Sequence, residues 1–152
     1  PAARERRRRQ VVAGGYPLRR HPSPTVGIAV MGALVPEALR AAERLDALGI
    51  GADVICVTSA DLLFRAVQAR RGHGDAPDWI LGSLFPADRA APVVTVLDGH
   101  PHTLAFLAGI HRVPATHLGV TEFGQSGGLE DVYAYHRVDT DSVIGAALDL
   151  VD

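Results

Sequence analysis

The sequence predicts an α/β fold, a parallel sheet sandwiched between helices, and three observations carry that prediction. Short apolar runs alternate with segments of helical periodicity along the body of the chain. The runs Thr25–Met31 and Ala52–Val57 are near-continuous rather than alternating, as in strands covered on both faces. The length, 152 residues, suits one domain with a sizeable core and is too short for two.

Taken in order, residues 10–17 (Gln-Val-Val-Ala-Gly-Gly-Tyr-Pro) read as an entry strand weakened by two glycines. Residues 25–31 form the next strand and end at Gly32. Pro36 then sits in a first helical turn, where its missing N–H costs nothing. Val35, Leu39, Ala42, Leu45 and Leu48 follow at helical spacing until Gly49 stops the helix. After the strand at 52–57, Ser59 caps a helix to about residue 69, and the glycine-rich 70–77 stretch is a loop. Residues 78–85 read as a short helix closed by Pro86, 92–97 as a strand, 103–110 as a helix and 116–120 as a strand. A loop over 121–128 precedes a helix at 129–136. Thr140 caps a last helix with Val143, Ile144, Ala147, Leu148 and Val151 on one face.

Composition narrows the function classes. The chain is 47% hydrophobic and 21% charged, a globular balance, and no apolar run approaches the roughly 18 residues of a membrane span. No signal peptide is recognisable, and the single cysteine, Cys56, suits a reducing compartment, so a cytoplasmic location is expected. The chain begins at Pro1 rather than Met, which suggests processing or a piece of something longer. All 15 basic residues are Arg, and seven of them lie in the first 20 positions. Residues 21–152 carry 8 Arg against 16 acidic residues, a net of −8. Residues 1–9 therefore read as a basic linker or the end of a preceding segment, and 10–152 as the domain. A nucleic-acid partner is not expected, because the body has no basic face and only 5% aromatics for base stacking.

Ligands of open α/β sheets sit beyond the carboxyl ends of the strands, and three segments qualify. Met31-Gly32-Ala33 precedes a helix N-terminus but lacks any phosphate-loop pattern. Asp98-Gly99-His100-Pro101-His102 offers two His and an Asp, either as part of a metal site or acid–base pair, or as a turn that caps the helix after it. The third segment, from Gly119 through Glu122, Phe123, Gly124 and Ser126, offers one carboxylate without an evident partner. Cys56 lies within a buried run with no adjacent His, as an inert core thiol does, and Ser59 and Ser126 lack the nucleophile-elbow pattern. No catalytic constellation follows from spacing.

Four segments in order carry a family resemblance. Ala13-Gly14-Gly15-Tyr16-Pro17-Leu18-Arg19, Gly32-Ala33-Leu34-Val35-Pro36-Glu37-Ala38-Leu39, Ala52-Asp53-Val54 to Ser59, and Leu118-Gly119 with Phe123-Gly124-Gln125-Ser126 resemble the C-terminal domain of the homodimeric pyruvate dehydrogenase E1 component. That enzyme is of the transketolase-like, thiamine-diphosphate-dependent group. The resemblance spans residues 10–152. It departs at Thr121 and Gly127, where Asp is common in the family, and in the His100-Pro101-His102 turn.

The resemblance implies a three-layer α/β/α domain, mostly parallel with one antiparallel edge strand. It implies a structural and dimerisation role, with N-terminal and middle domains of the same enzyme as partners and a lipoyl acyltransferase (E2) as a further one. Thiamine diphosphate and Mg²⁺ are expected in the parent enzyme and not in this domain, which lacks the family's Gly-Asp-Gly…Asn-Asn motif. The domain alone is expected to be catalytically silent, with no catalytic, cofactor or metal residues of its own. Asp98, His100, His102, Glu122, Phe123, Gly124 and Ser126 are then interface or substrate-entrance candidates. The alternatives are a free-standing flavodoxin-like domain taking a nucleotide or anion at Gly32, Asp98 and Thr121, and a metal-dependent hydrolase using His100 and His102.

Overall fold

The computed structural model describes residues 1–122 and 126–152. The elements in chain order are α1 (Ala2–Ala13), β1 (Gly15–Arg19), β2 (Val26–Met31), α2 (Val35–Ala47), β3 (Ala52–Val57), α3 (Ala60–Arg70), α4 (Trp79–Leu84), β4 (Val93–Leu97), α5 (His102–Ala105), β5 (Ala115–Leu118), α6 (Leu129–Tyr135) and α7 (Thr140–Val151). Single 3₁₀ turns occupy Gly32–Leu34, Ala87–Arg89 and Phe106–Gly109. The five strands form one sheet in the order β1-β3-β2-β4-β5. The β2–β3, β2–β4 and β4–β5 pairs are parallel, whereas β1 runs antiparallel to β3 at the edge. The three-layer fold with one antiparallel edge strand is thus the one expected.

Alternation along each strand divides the core between the two faces. Val26, Ile28, Val30, Val54, Val94 and Val96 pack beneath α2 and α7. Ala29, Ile55, Val57, Val93 and Leu97 meet α3, α4 and the α5 region on the other side. Both sets are buried, which is why these strands carry apolar runs instead of an alternating pattern. Among the described residues no helix is long and apolar enough to cross a membrane.

Element boundaries differ from the sequence reading in several places. Residues 10–13 belong to α1 rather than to an entry strand, which starts only at Gly15. Arg and Ala favour helix intrinsically, but α1 has no apolar stripe for a periodicity argument to find. Gly14 separates the two elements at φ +133°, with Leu63 so close that a Cβ would stand 2.7 Å from its Cδ2. The segment after β4 is a four-residue helix followed by a 3₁₀ turn rather than one helix over 103–110. β5 ends at Leu118 instead of residue 120. The cap of α7 is Asp139, whose carboxylate accepts the Ser142 N–H at 3.1 Å. Ser59 caps α3 as expected, accepting from the Leu62 N–H at 3.2 Å.

Candidate functional site

β2 comes first in the parallel set, β3 lies on one side of it and β4 on the other, so the strand order reverses between β2 and β4. Such a switch point opens a crevice at the carboxyl ends, here between Gly32 and Asp98. Gly32 adopts φ +77°, and a Cβ on it would stand 2.7 Å from Asp98 Oδ1. The Asp98 carboxylate therefore fills the crevice that a ligand would enter. A second carboxylate, Glu37, lies buried in the first turn of α2 and receives Arg40 Nη2 and the Thr140 hydroxyl. Glu37 is thus compensated by Arg40, and the carboxylate without an ion pair among the described residues, Asp98, stands where the nucleotide reading at Gly32, Asp98 and Thr121 would place an anion.

The other two candidate segments meet beside the crevice. Val120 N–H donates to the Gly99 carbonyl at 2.8 Å. Gly119 lies so close that a Cβ there would sit 2.5 Å from that same carbonyl oxygen and 2.7 Å from Pro101 N. Any side chain at position 119 would thus push the two loops apart. In the His100-Pro101-His102 turn, His102 N–H donates to His100 Nδ1 at 3.2 Å, and the two Nδ1 atoms share a further hydrogen bond. The rings are 4.3 Å apart between centroids, and both side chains are exposed. Glu122 is held by α6, whose Tyr135 hydroxyl donates to its Oε2 at 3.1 Å. That bond, with the Glu122 charge behind it, raises the Tyr135 phenol above its ordinary value. Ser126 is exposed, and Phe123 and Gly124, with Gln125, lie outside the described residues. The structure therefore gathers Asp98, His100 and the Gly119–Val120 turn leading to Glu122 at one edge. Among the described residues, no three His, Cys, Asp or Glu groups converge in a way that could hold a metal ion.

Two further polar clusters escaped the sequence reading. At the opposite end of the sheet, Asp53 of β3 is buried and receives Arg89 through Nε at 2.8 Å and Nη2 at 2.9 Å. It also accepts Arg20 Nη1 at 3.1 Å and His21 N–H at 2.8 Å. Burial alone would raise this carboxyl; the Arg89 bond, the His21 amide and Arg20 together outweigh it and bring the carboxyl below its ordinary value. Arg20 continues to the Ser83 and Leu84 carbonyls, both at 3.0 Å. This cluster borders a largely apolar cavity of about 50 Å³, next to which His111 Nε2 bonds the Phe85 carbonyl at 2.6 Å. A charged residue inside a strand run was the available signal, because a buried carboxylate needs partners. Glu37 is the second cluster; it borders an open groove of about 760 Å³ with Arg40, Arg44, Tyr133 and Asp141. Cys56 is buried in β3 and free, in keeping with the inert thiol expected.

A family model described as the transketolase-like TK C-terminal domain matches residues 14–139. None of the curated proteins matches the chain. Among solved structures, a transketolase from Leishmania mexicana is similar with a TM-score of 0.71 and 21% identity, covering 94% of this chain and 18% of that one. A transketolase from Campylobacter jejuni subsp. jejuni has a TM-score of 0.66 and 18% identity over 90% of this chain and 18% of its own. A split-gene transketolase solved as an inactive beta4 tetramer has a TM-score of 0.66 and 19% identity over 90% of this chain and 42% of that one. The chain therefore spans about a fifth of the length of the first two.

Proposed function

This chain belongs to the family of transketolase-like TK C-terminal domains, and from that premise we propose that it is the C-terminal structural and dimerisation unit of a larger thiamine-diphosphate-dependent enzyme. The observation that carries this reading is the family match over residues 14–139, joined to a fold shared with domains that form under a fifth of complete transketolases. The finer assignment, to a pyruvate dehydrogenase E1 rather than a transketolase, rests on the four sequence segments. Their described glycines have structural jobs. Gly14, Gly15, Gly32 and Gly119 each occupy a place where a Cβ would meet another atom at 2.7 Å or less. Those segments pack closely in this fold, and the E1 assignment with the parent's activity, substrate and location in the cytoplasm is inferred from the resemblance.

Thiamine diphosphate with Mg²⁺ needs oxygen ligands for the metal and free donors for the diphosphate. The carboxyl edge of this sheet does not fit that group. Asp98 fills the crevice against Gly32, Glu37 is engaged by Arg40 and Thr140, and the neighbouring donors are imidazole nitrogens. The proposal accordingly gives this domain no direct hold on the cofactor and no turnover alone. A homodimer built with N-terminal and middle domains is its expected setting. A lipoyl acyltransferase partner follows only if the substrate is pyruvate or another 2-oxo acid.

The test is the native polypeptide that carries this sequence, sized by immunoblot in fresh extract and then purified. A band several times 16.1 kDa that consumes pyruvate with thiamine diphosphate, Mg²⁺ and a lipoyl acceptor supports the whole reading. Ketol transfer between sugar phosphates instead keeps the domain assignment and overturns the E1 assignment. A stable native band near 16.1 kDa, with calorimetric heat on adding nucleotides, overturns both in favour of a free-standing binding domain.

A further inference from the structure

We propose that the His100-Pro101-His102 turn is a two-imidazole site for a late first-row divalent ion such as Zn²⁺, Ni²⁺ or Cu²⁺, open to solvent on its remaining positions. The inference does not depend on the parent enzyme's identity. It starts from two lone-pair positions that converge on one point. His100 Nδ1 accepts the His102 backbone N–H at 3.2 Å and also shares a hydrogen bond with His102 Nδ1. With His100 Nδ1 accepting the backbone bond, the tautomer pair that satisfies both contacts puts the shared proton on His102 Nδ1 and the His100 proton on Nε2. A bound divalent ion would replace that shared proton. His102 then moves its proton from Nδ1 to Nε2 through solvent, so two neutral imidazoles become two ligands with no net proton lost.

The turn is built rigidly enough to hold this geometry. Pro101 fixes its own φ at −61°, Thr103 N–H returns to the His100 carbonyl at 3.1 Å, and Val120 N–H clamps the Gly99 carbonyl at 2.8 Å. Gly119 admits that clamp, since no side chain fits between it and Gly99–Pro101. Both rings are exposed and tilted 55° to one another, so small rotations can open the nitrogens to the roughly 3.3 Å that two ligands about 2.05 Å from a tetrahedral ion require.

Charge favours a cation here. Asp98 lies two residues before His100 and has no ion pair among the described residues, and the body beyond residue 20 is acidic overall. Imidazole donors select zinc, nickel and copper over Mg²⁺. No third His, Cys, Asp or Glu among the described residues completes the set, so water takes the other positions.

The experiment is calorimetric titration of the 152-residue chain with Ni²⁺ and with Zn²⁺, beside Mg²⁺ as the control. One saturable site per chain is expected for the first two and none for Mg²⁺. His100→Ala and His102→Ala should each weaken it roughly tenfold or more, as loss of one of two ligands does, while His73→Ala and His136→Ala should leave it unchanged. His100→Gln and His102→Gln, with circular dichroism on every variant, separate ligand loss from unfolding. Cu²⁺ electron paramagnetic resonance should show hyperfine structure from two nitrogens that falls to one in each single variant. No saturable binding by the parent chain, or binding that survives both folded single variants, overturns the proposal.

Discussion

Asp53 shows how much one side chain can decide. Its carboxylate joins the end of the β1 segment through His21 and Arg20, and the 3₁₀ turn after α4 through Arg89, onto a central strand. Only 7% of it is exposed, and the arginines are 25% and 29% exposed. Removing the carboxylate strands two guanidiniums at a half-buried site, and Asp53→Ala should cost about 3 kcal/mol in urea denaturation. Arg89→Ala leaves Arg20 and the His21 amide in place and should cost about 2 kcal/mol. Because the folded carboxyl lies below its unfolded value of about 3.9, its contribution is complete above that pH and is lost as pH falls through the folded value. Asp53→Asn should therefore flatten the loss of stability below about pH 4. His117 acts in the same direction at a higher pH. Burial beside the fully buried Thr95, whose hydroxyl it meets at 2.7 Å, lowers it from about 6.5. The folded state thus binds that proton less readily than the unfolded one, so stability should decline as pH falls below about 6.5. His117→Gln should remove this decline from melting curves recorded between about pH 7 and 5.

At the scale of elements, junctions are held by single capping or packing residues. Ser59 and Asp139 each satisfy a first-turn amide, and replacing either by Ala should cost about 1 kcal/mol in chemical denaturation. Gly119→Ala meets backbone rather than a movable side chain, at 2.5 Å from Gly99 O, so the β4–α5 and β5–α6 loops must separate. An overpacking cost of about 1–3 kcal/mol is expected there, with the His100 and His102 resonances displaced in nuclear magnetic resonance spectra. These junctions also mark where sequence reasoning stopped. β2 and β3 were legible because both faces are buried and the residues say so continuously. The helix after β2 was legible from Pro36 and its apolar spacing. Asp139 and Thr140 are both good caps by residue type, and only geometry shows that Asp139 caps α7 while the Thr140 hydroxyl is committed to Glu37. Arg20, Asp53 and Arg89 are far apart in sequence, and no spacing rule links them. The approach of Gly32 to Asp98 was likewise invisible until β2 and β4 were paired.

For the whole molecule, the unusual feature is charge placed almost entirely outside the core. Residues 1–9 are exposed without exception, and the arginine-rich part of α1 has no apolar stripe. Such a helix gains little by packing and is stable where something beyond it supplies an anchor. Within the described residues that anchor begins at Gln10, which is buried and donates from Nε2 to Ser83 Oγ at 2.7 Å. Two arginines before it touch the body: Arg7 lies 4.6 Å over Tyr16 and reaches the Pro17 carbonyl at 3.5 Å, and Arg9 lies 5.5 Å from the Trp79 ring centre. At exposed sites such contacts contribute about 0.5–1 kcal/mol each. A chain shortened to begin at Gln10 should therefore unfold cooperatively with a stability within about 2 kcal/mol of the parent, those two contacts being the main loss. Trp79, the single tryptophan, reports directly. Its native emission should shift when Arg9 is removed, while the emission of the unfolded chain should not. A collapse of cooperativity in the shortened chain would instead make α1 an integral part of the fold, and the division between residues 1–9 and 10–152 would have to be moved.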